Sequence, residues 1–212
     1  MRFPAPPLLV ISDRHQARRP LEEIAGAIFA GGCRWFSLRE KDLPAAERRT
    51  LLSALVALGR RWEATVTVHE DVDAAVMSGA AGVHLRSAGN PEAARARLPD
   101  GLIGASAHSA EEAAALLGAG ADYVTLSPVF PTASKRGYGP AIGLDGLAEI
   151  IAQVPGRTVI ALGGITPANA PLCLSGGASG VAVMGEVMRA TNPQAVVEAM
   201  LAAMSEPIKI CG

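Results

Sequence analysis

One phrase recurs along this chain and narrows what it can fold into: a glycine- and alanine-rich turn that ends a helical stretch and feeds a short apolar run. It reads GGC at 31–33, GAAG at 79–82, GAGAD at 118–122 and GGASG at 176–180. Glycine accepts the left-handed backbone that ends a helix, so each phrase marks a tight helix-to-strand connection. The apolar runs give candidate strands at Leu8–Ser12, Trp35–Leu38, Thr65–His69, Gly82–Leu85, Leu102–Ala105, Tyr123–Leu126, Thr158–Leu162 and Gly180–Met184. Between them, apolar residues three and four apart predict helices. These cover Leu21–Ala30, Ala45–Arg61, Val72–Ser78, Pro91–Leu98, Ala110–Leu117, Leu144–Gln153, Pro167–Leu174 and Pro193–Met204. Ser109, Thr166 and Asn192 are expected to cap helix starts, with Pro167 and Pro193 at first-turn positions. Gly79, Gly118 and Gly176 are expected to close helices.

Roughly eight strand–helix units in one short chain are the repeat of a single (β/α)8 TIM barrel, here spanning residues 1–212 as one domain. A doubly wound sheet is the competing arrangement, but no G-x-G-x-x-G follows the first strand. Half the residues are hydrophobic and only 4% aromatic, which suits a core of Ala, Val, Leu and Ile between a parallel sheet and its helices. A formal net charge of -1 offers no footprint for nucleic acid. Cys33, Cys173 and Cys211 lie far apart, as free thiols in a reducing cytoplasm would. The apolar run at residues 8–11 is too short for a signal peptide, and no stretch is long enough to span a membrane. A soluble, cytoplasmic protein is expected.

In such a barrel, the residues just after each strand converge on one face. The run from Leu126 to Lys135 (LSPVFPTASK) places prolines, hydroxyls and a cation there, a grouping suited to a phosphorylated ligand. Arg39, Lys41 and Lys135 meet across the mouth in this reading and form a diphosphate site; alternatively, Arg39 pairs with Glu40 or Asp71. Gly163-Gly164 and Met184-Gly185, after the seventh and eighth strands, have the position of the usual barrel phosphate site. Glu186 beside it needs a role pointing away from an anion. His108 is a candidate proton carrier or a hydrogen-bond spacer. His84 alternates with Val83 and faces either the barrel or the helices. His69 and His84 lack the further ligands a zinc site requires.

Seven motifs in order resemble the thiamine phosphate synthase family, which includes thiazole tautomerases. They are LREK (38–41), GVHL (82–85), GASAH (104–108), GADYV (120–124), SPVFPTASK (127–135), ALGGI (161–165) and GVAVM (180–184). The resemblance covers nearly the whole chain. It implies a cytoplasmic transferase acting on small phosphorylated substrates, using Mg2+, with a tendency to form homodimers. The reaction it implies joins hydroxymethylpyrimidine diphosphate to thiazole phosphate and releases diphosphate. Arg39, Lys41 and Lys135 would then hold the diphosphate, and Thr132 and Ser134 would contact the thiazole phosphate or its neighbours. Gly164 with the Met184-Gly185 turn would hold the thiazole phosphate, Gly163 completing that turn, and Ser106 would contact the pyrimidine.

The sequence departs from the family pattern in one half of the site. Ser37 replaces a glutamine, His69-Glu70 replaces Asn-Asp, and Gly89 stands where a second magnesium aspartate is usual. Glu70 remains as a metal ligand, since Mg2+ accepts one carboxylate plus substrate phosphates, and Arg86 offers charge nearby. His69 would then face the diphosphate substrate. Losses confined to this half fit a tautomerase, with His108 carrying the proton, or a non-catalytic phosphate-binding paralogue. Pro128 stands where the tautomerase branch tends to carry its histidine, which favours the synthase.

Overall fold

Eight parallel strands close on themselves in sequence order, each hydrogen-bonded to the next and β8 to β1, in a computed structural model that describes residues 3–132 and 140–205. The strands are β1 (Leu8–Ile11), β2 (Trp35–Leu38), β3 (Thr65–His69), β4 (Gly82–Leu85), β5 (Leu102–Ala107), β6 (Tyr123–Leu126), β7 (Thr158–Leu162) and β8 (Gly180–Val183). The helices between them are α1 (Leu21–Ala30), α2 (Ala45–Arg60), α3 (Val72–Ser78), α4 (Pro91–Arg97), α5 (Ala110–Gly118), α6 (Gly143–Gln153) and α7 (Ala170–Ser175); α8 (Gly185–Met188) and α9 (Pro193–Ser205) follow β8. The chain is therefore the expected (β/α)8 barrel. Among the described residues no helix is long and apolar enough to cross a membrane.

Local chemistry explains where the expected boundaries move. Ser109 caps α5 by accepting from the Glu112 amide, and Asn192 accepts from Ala195 ahead of α9. Asp71 and Asn90 act in the same way for α3 and α4. Thr166 does not start α7. Its amide donates to the Asn169 side chain (2.8 Å), while Asn169 Nδ2 donates back to the Gly164 carbonyl (2.9 Å). That closed turn consumes residues 166–169 and delays the helix to Ala170. Gly118 stays inside α5; the left-handed residue is Gly120, at φ 96°. The short α8 is an element the sequence pattern did not separate.

Register alternation decides what lies inside the barrel. Ile11, Ser37, Thr67 and Gly82 form one inward row across neighbouring strands, and His69, His84, Gly104 and Tyr123 form another. His84 thus faces the interior, and Val83 belongs to the layer under the helices. Near the amino ends of the strands, Phe3, Trp35 and Tyr123 pack edge to face, with ring centroids 4.9–5.9 Å apart. Trp35 and Tyr123 are fully buried, each burial stabilising the fold by roughly 1.5–3 kcal/mol. Their bulk requires small neighbours: a Cβ on Gly104 would overlap the Tyr123 ring.

Gly104→Ala should therefore lower stability by about 1–3 kcal/mol through overpacking. Gly26→Ala, in a helix with nothing within 4 Å of the new methyl, should raise it by about 0.5–1 kcal/mol. Thermal or denaturant unfolding of the two variants measures both signs; an unaffected Gly104→Ala would contradict the close contact with Tyr123.

Candidate active site

The loops after the strands enclose a cavity of about 560 Å³ at the carboxyl end of the barrel. Arg39, Lys41, His69, Glu70, Ser106, His108, Thr132, Gly163, Gly164, Met184 and Gly185 all line it. The remaining two expected site residues, Ser134 and Lys135, lie outside the described residues. The cavity also takes in Arg86 and Arg189. Arg189 escaped the sequence reading because the chain between β8 and α9 carries no long periodic pattern. Its one signal is its position four residues after Gly185, one helical turn on.

A buried carboxylate fixes the cationic wall. Glu40 is only 2% exposed, yet it lies between Arg39 and Lys41 in sequence. It accepts from Ser12 Oγ (2.7 Å), from the Arg14 amide (3.1 and 3.2 Å) and from Arg14 Nη1 (3.4 Å). Ser12 Oγ in turn accepts from the Arg39 amide (2.8 Å), tying the end of β2 to the loop after β1. Arg14 also grips Asp42 through two nitrogens, at 2.5 and 2.8 Å. That contact, with a further one from His15, holds the Asp42 carboxyl well below the usual carboxylate range. Asp71 is taken by Arg48 (2.5 Å). Neither Glu40 nor Asp71 therefore pairs with Arg39, and among the described residues the guanidinium groups of Arg39 and Arg86 have no ion pair. Lys41 is ion-paired with Glu70 at 2.9 Å.

Of the inward-facing residues, His84 and Ser106 line the cavity alongside the apolar Ile11, Leu162 and Ala182, while Ser37 and Thr67 are fully buried. His84 is 1% exposed and contacts Tyr123 Oη (3.1 Å) and Ser106 Oγ (3.0 Å), while Thr67 donates to Ser37 (2.9 Å). His69 packs against His84 with ring centroids 4.5 Å apart and the rings tilted by 41°. Burial first, then the positive surroundings of His84, Arg39 and Lys41, push its pKa well below the ordinary value, so the ring is neutral near pH 7. His69 Nε2 is buried without a hydrogen-bond partner. His108 Nδ1 lies 2.6 Å from the Ser127 carbonyl, which can only accept, so Nδ1 carries a proton.

On the opposite side, backbone bonds tie the loop after β6 to the end of β7. Val129 donates to the Leu162 carbonyl (2.9 Å) and Phe130 to that of Gly163 (3.0 Å). Gly163 and Gly164 sit at φ 102° and 65°, and a Cβ on Gly164 would come within 2.8 Å of Phe130 Cβ. Glycine is required there by both backbone and space, and it leaves a bare peptide surface along this wall.

Among the described residues no group of three or more His, Cys, Asp or Glu side chains is placed to hold a metal. Glu70, at the mouth beside Lys41, fits a different role: one carboxylate ligand to a magnesium ion that draws its other ligands from substrate phosphate and water. A Cβ on Gly89 would lie 2.7 Å from Leu85 Cβ, so this turn has no room for a second carboxylate without moving.

Residues 8–187 match the family model described as thiamine monophosphate synthase. A putative thiamine-phosphate synthase of Geobacter sulfurreducens is 44% identical over 199 residues, covering 92% of both chains. A thiamine-phosphate synthase of Roseiflexus sp. is 37% identical, covering 94% of this chain and 85% of its own. Among solved structures, the thiamine phosphate pyrophosphorylase of Pyrococcus furiosus superposes with a TM-score of 0.84 at 34% identity, covering 93% of this chain and 94% of its own.

The Glu40 network predicts a clear hierarchy. Glu40→Ala strands the Ser12 hydroxyl and the Arg14 amide and should cost about 1–3 kcal/mol. Glu40→Gln, which keeps an acceptor oxygen, should cost less. Denaturant melts of the two variants give the order; equal losses would assign the stability to charge alone.

Proposed function

The chain belongs to the thiamine monophosphate synthase family, and from that premise we propose that it joins hydroxymethylpyrimidine diphosphate to thiazole phosphate, releasing thiamine phosphate and diphosphate. The observation that carries this reading is the division of one cavity. Arg39 and Arg86, which form no ion pair among the described residues, stand on the β2–β4 side, and the bare glycine wall of Gly163 and Gly164 lies on the β7 side. Two anionic substrates fit such a cavity better than one.

The reaction breaks the bond between the pyrimidine methylene and the diphosphate oxygen, which departs with the electron pair. The thiazole nitrogen supplies the lone pair for the new carbon–nitrogen bond, so no proton need be carried. Arg39 and Lys41, with Lys135 from the loop after β6, hold the diphosphate and receive the charge that builds on it. Ser106 and neutral His69 face the pyrimidine diphosphate, and the Ser12–Glu40 link keeps Arg39 at its post. A magnesium ion held by Glu70 and the substrate would add charge stabilisation of the leaving group. Thr132, Ser134 and the turns at Gly163-Gly164 and Met184-Gly185 hold the thiazole phosphate, and orientation over the methylene supplies much of the acceleration. His108, bound to the Ser127 carbonyl, steadies the start of the segment that leads to Thr132.

Purified protein given both substrates and Mg2+ should form thiamine phosphate and diphosphate in equal amounts; no product at any magnesium concentration would contradict the proposal. Arg39→Ala should raise KM for the pyrimidine diphosphate by about 10- to 100-fold while leaving that for thiazole phosphate unchanged. Lys135→Ala should weaken diphosphate binding by about 2–5 kcal/mol if the closed site desolvates the ammonium, which calorimetry with inorganic diphosphate reads directly.

A further inference from the structure

The β8 side of the cavity holds a cation that the reaction as described leaves unused. Arg189 ends α8, and its guanidinium lies across the Cα of Gly185: a Cβ there would come within 2.7 Å of Cζ and 2.8 Å of Nη2. The glycine at 185 leaves this space to the guanidinium. Nη1 donates to Gln16 Oε1, and Gln16 Nε2 donates to Asp13 Oδ2 (2.5 Å). A neutral amide, itself fixed by a carboxylate, therefore orients the arginine. Among the described residues Nε and Nη2 make no hydrogen bond. Asp13 and Glu186 also line the cavity, yet neither forms an ion pair with Arg189. A guanidinium held by one nitrogen, with no ion pair among the described residues, is prepared for an anion that meets its fork with two oxygens.

The geometry points to Arg189 as a phosphate-binding residue that grips the monophosphate of the second substrate beside the backbone of Gly164 and Gly185. The identity of that ligand rests on the proposed function; the anion site does not. Gly185 serves twice in this arrangement, letting phosphate approach the backbone and letting the guanidinium lie beside it. Asp13 and Glu186, which line the same cavity, disfavour a more highly charged group such as a diphosphate.

Calorimetry on the full chain tests this with three probes: thiazole phosphate, the corresponding thiazole alcohol and inorganic phosphate. Arg189→Ala should weaken both phosphates by about 10- to 100-fold and leave the alcohol unchanged. Gly185→Ala, whose methyl displaces the guanidinium, should weaken them comparably and add little in the Arg189→Ala background. Wild-type phosphate affinity in Arg189→Ala, or an equal loss for the alcohol, would overturn the assignment while leaving the proposed function standing. Arg189-dependent binding of inorganic phosphate, with thiazole phosphate not bound by the wild type, would keep the anion site and remove the proposed function.

Discussion

Closure of the barrel over a filled interior is the constraint on which everything else depends. Eight short strands give an interior that only side chains can fill, and here the filling is uneven. Phe3, Trp35 and Tyr123 occupy the amino end, with glycine at 104 making room for the Tyr123 ring. Above them the interior holds Ser37, Thr67, His84, Ser106 and Thr125, joined by hydrogen bonds. The aromatic plug fills the amino end, and of the polar residues above it His84 and Ser106 reach the cavity. Tyr123 joins the two layers, since its ring packs on Trp35 while its hydroxyl meets His84.

Electrostatics then divide the cavity. Carboxylates that would otherwise neutralise the mouth are occupied elsewhere: Glu40 by Ser12 and Arg14, Asp42 by Arg14 and His15, Asp71 by Arg48. This sequestration leaves Arg39 and Arg86 on one side, and Arg189 on the other, without acidic partners among the described residues. The exposed Arg14–Asp42 pair contributes little to stability, so its value lies in where it keeps the carboxylate, whereas the buried Glu40 contacts also support the fold.

Much of this was legible in the sequence because strand ends in a barrel converge by geometry. Once the strands were placed, Arg39, Glu70, Ser106 and Gly164 had to meet. Four things were not legible. The side of the strand that His84 faces depends on register, which two-residue alternation with Val83 leaves open until its neighbours are fixed. The delay of α7 depends on an Asn169 side chain reaching back to Thr166, a contact that Thr-Pro at 166–167 disguises as a helix start. Arg189 depends on a helix of four residues, too short for any hydrophobic period to reveal. The identity of Glu40 as the occupied carboxylate, rather than Arg39's partner, likewise required knowing that Ser12 and Arg14 lie across from it.

In the proposed reaction one cavity holds two anions at separate poles at the same time. Titrating thiazole phosphate into protein already saturated with inorganic diphosphate and Mg2+ tests it most directly. The account predicts binding with an affinity equal to or tighter than that for the free protein, because the two sites do not overlap. Competition, seen as an apparent Kd rising in proportion to diphosphate concentration, would mean that both anions seek one site and would contradict it.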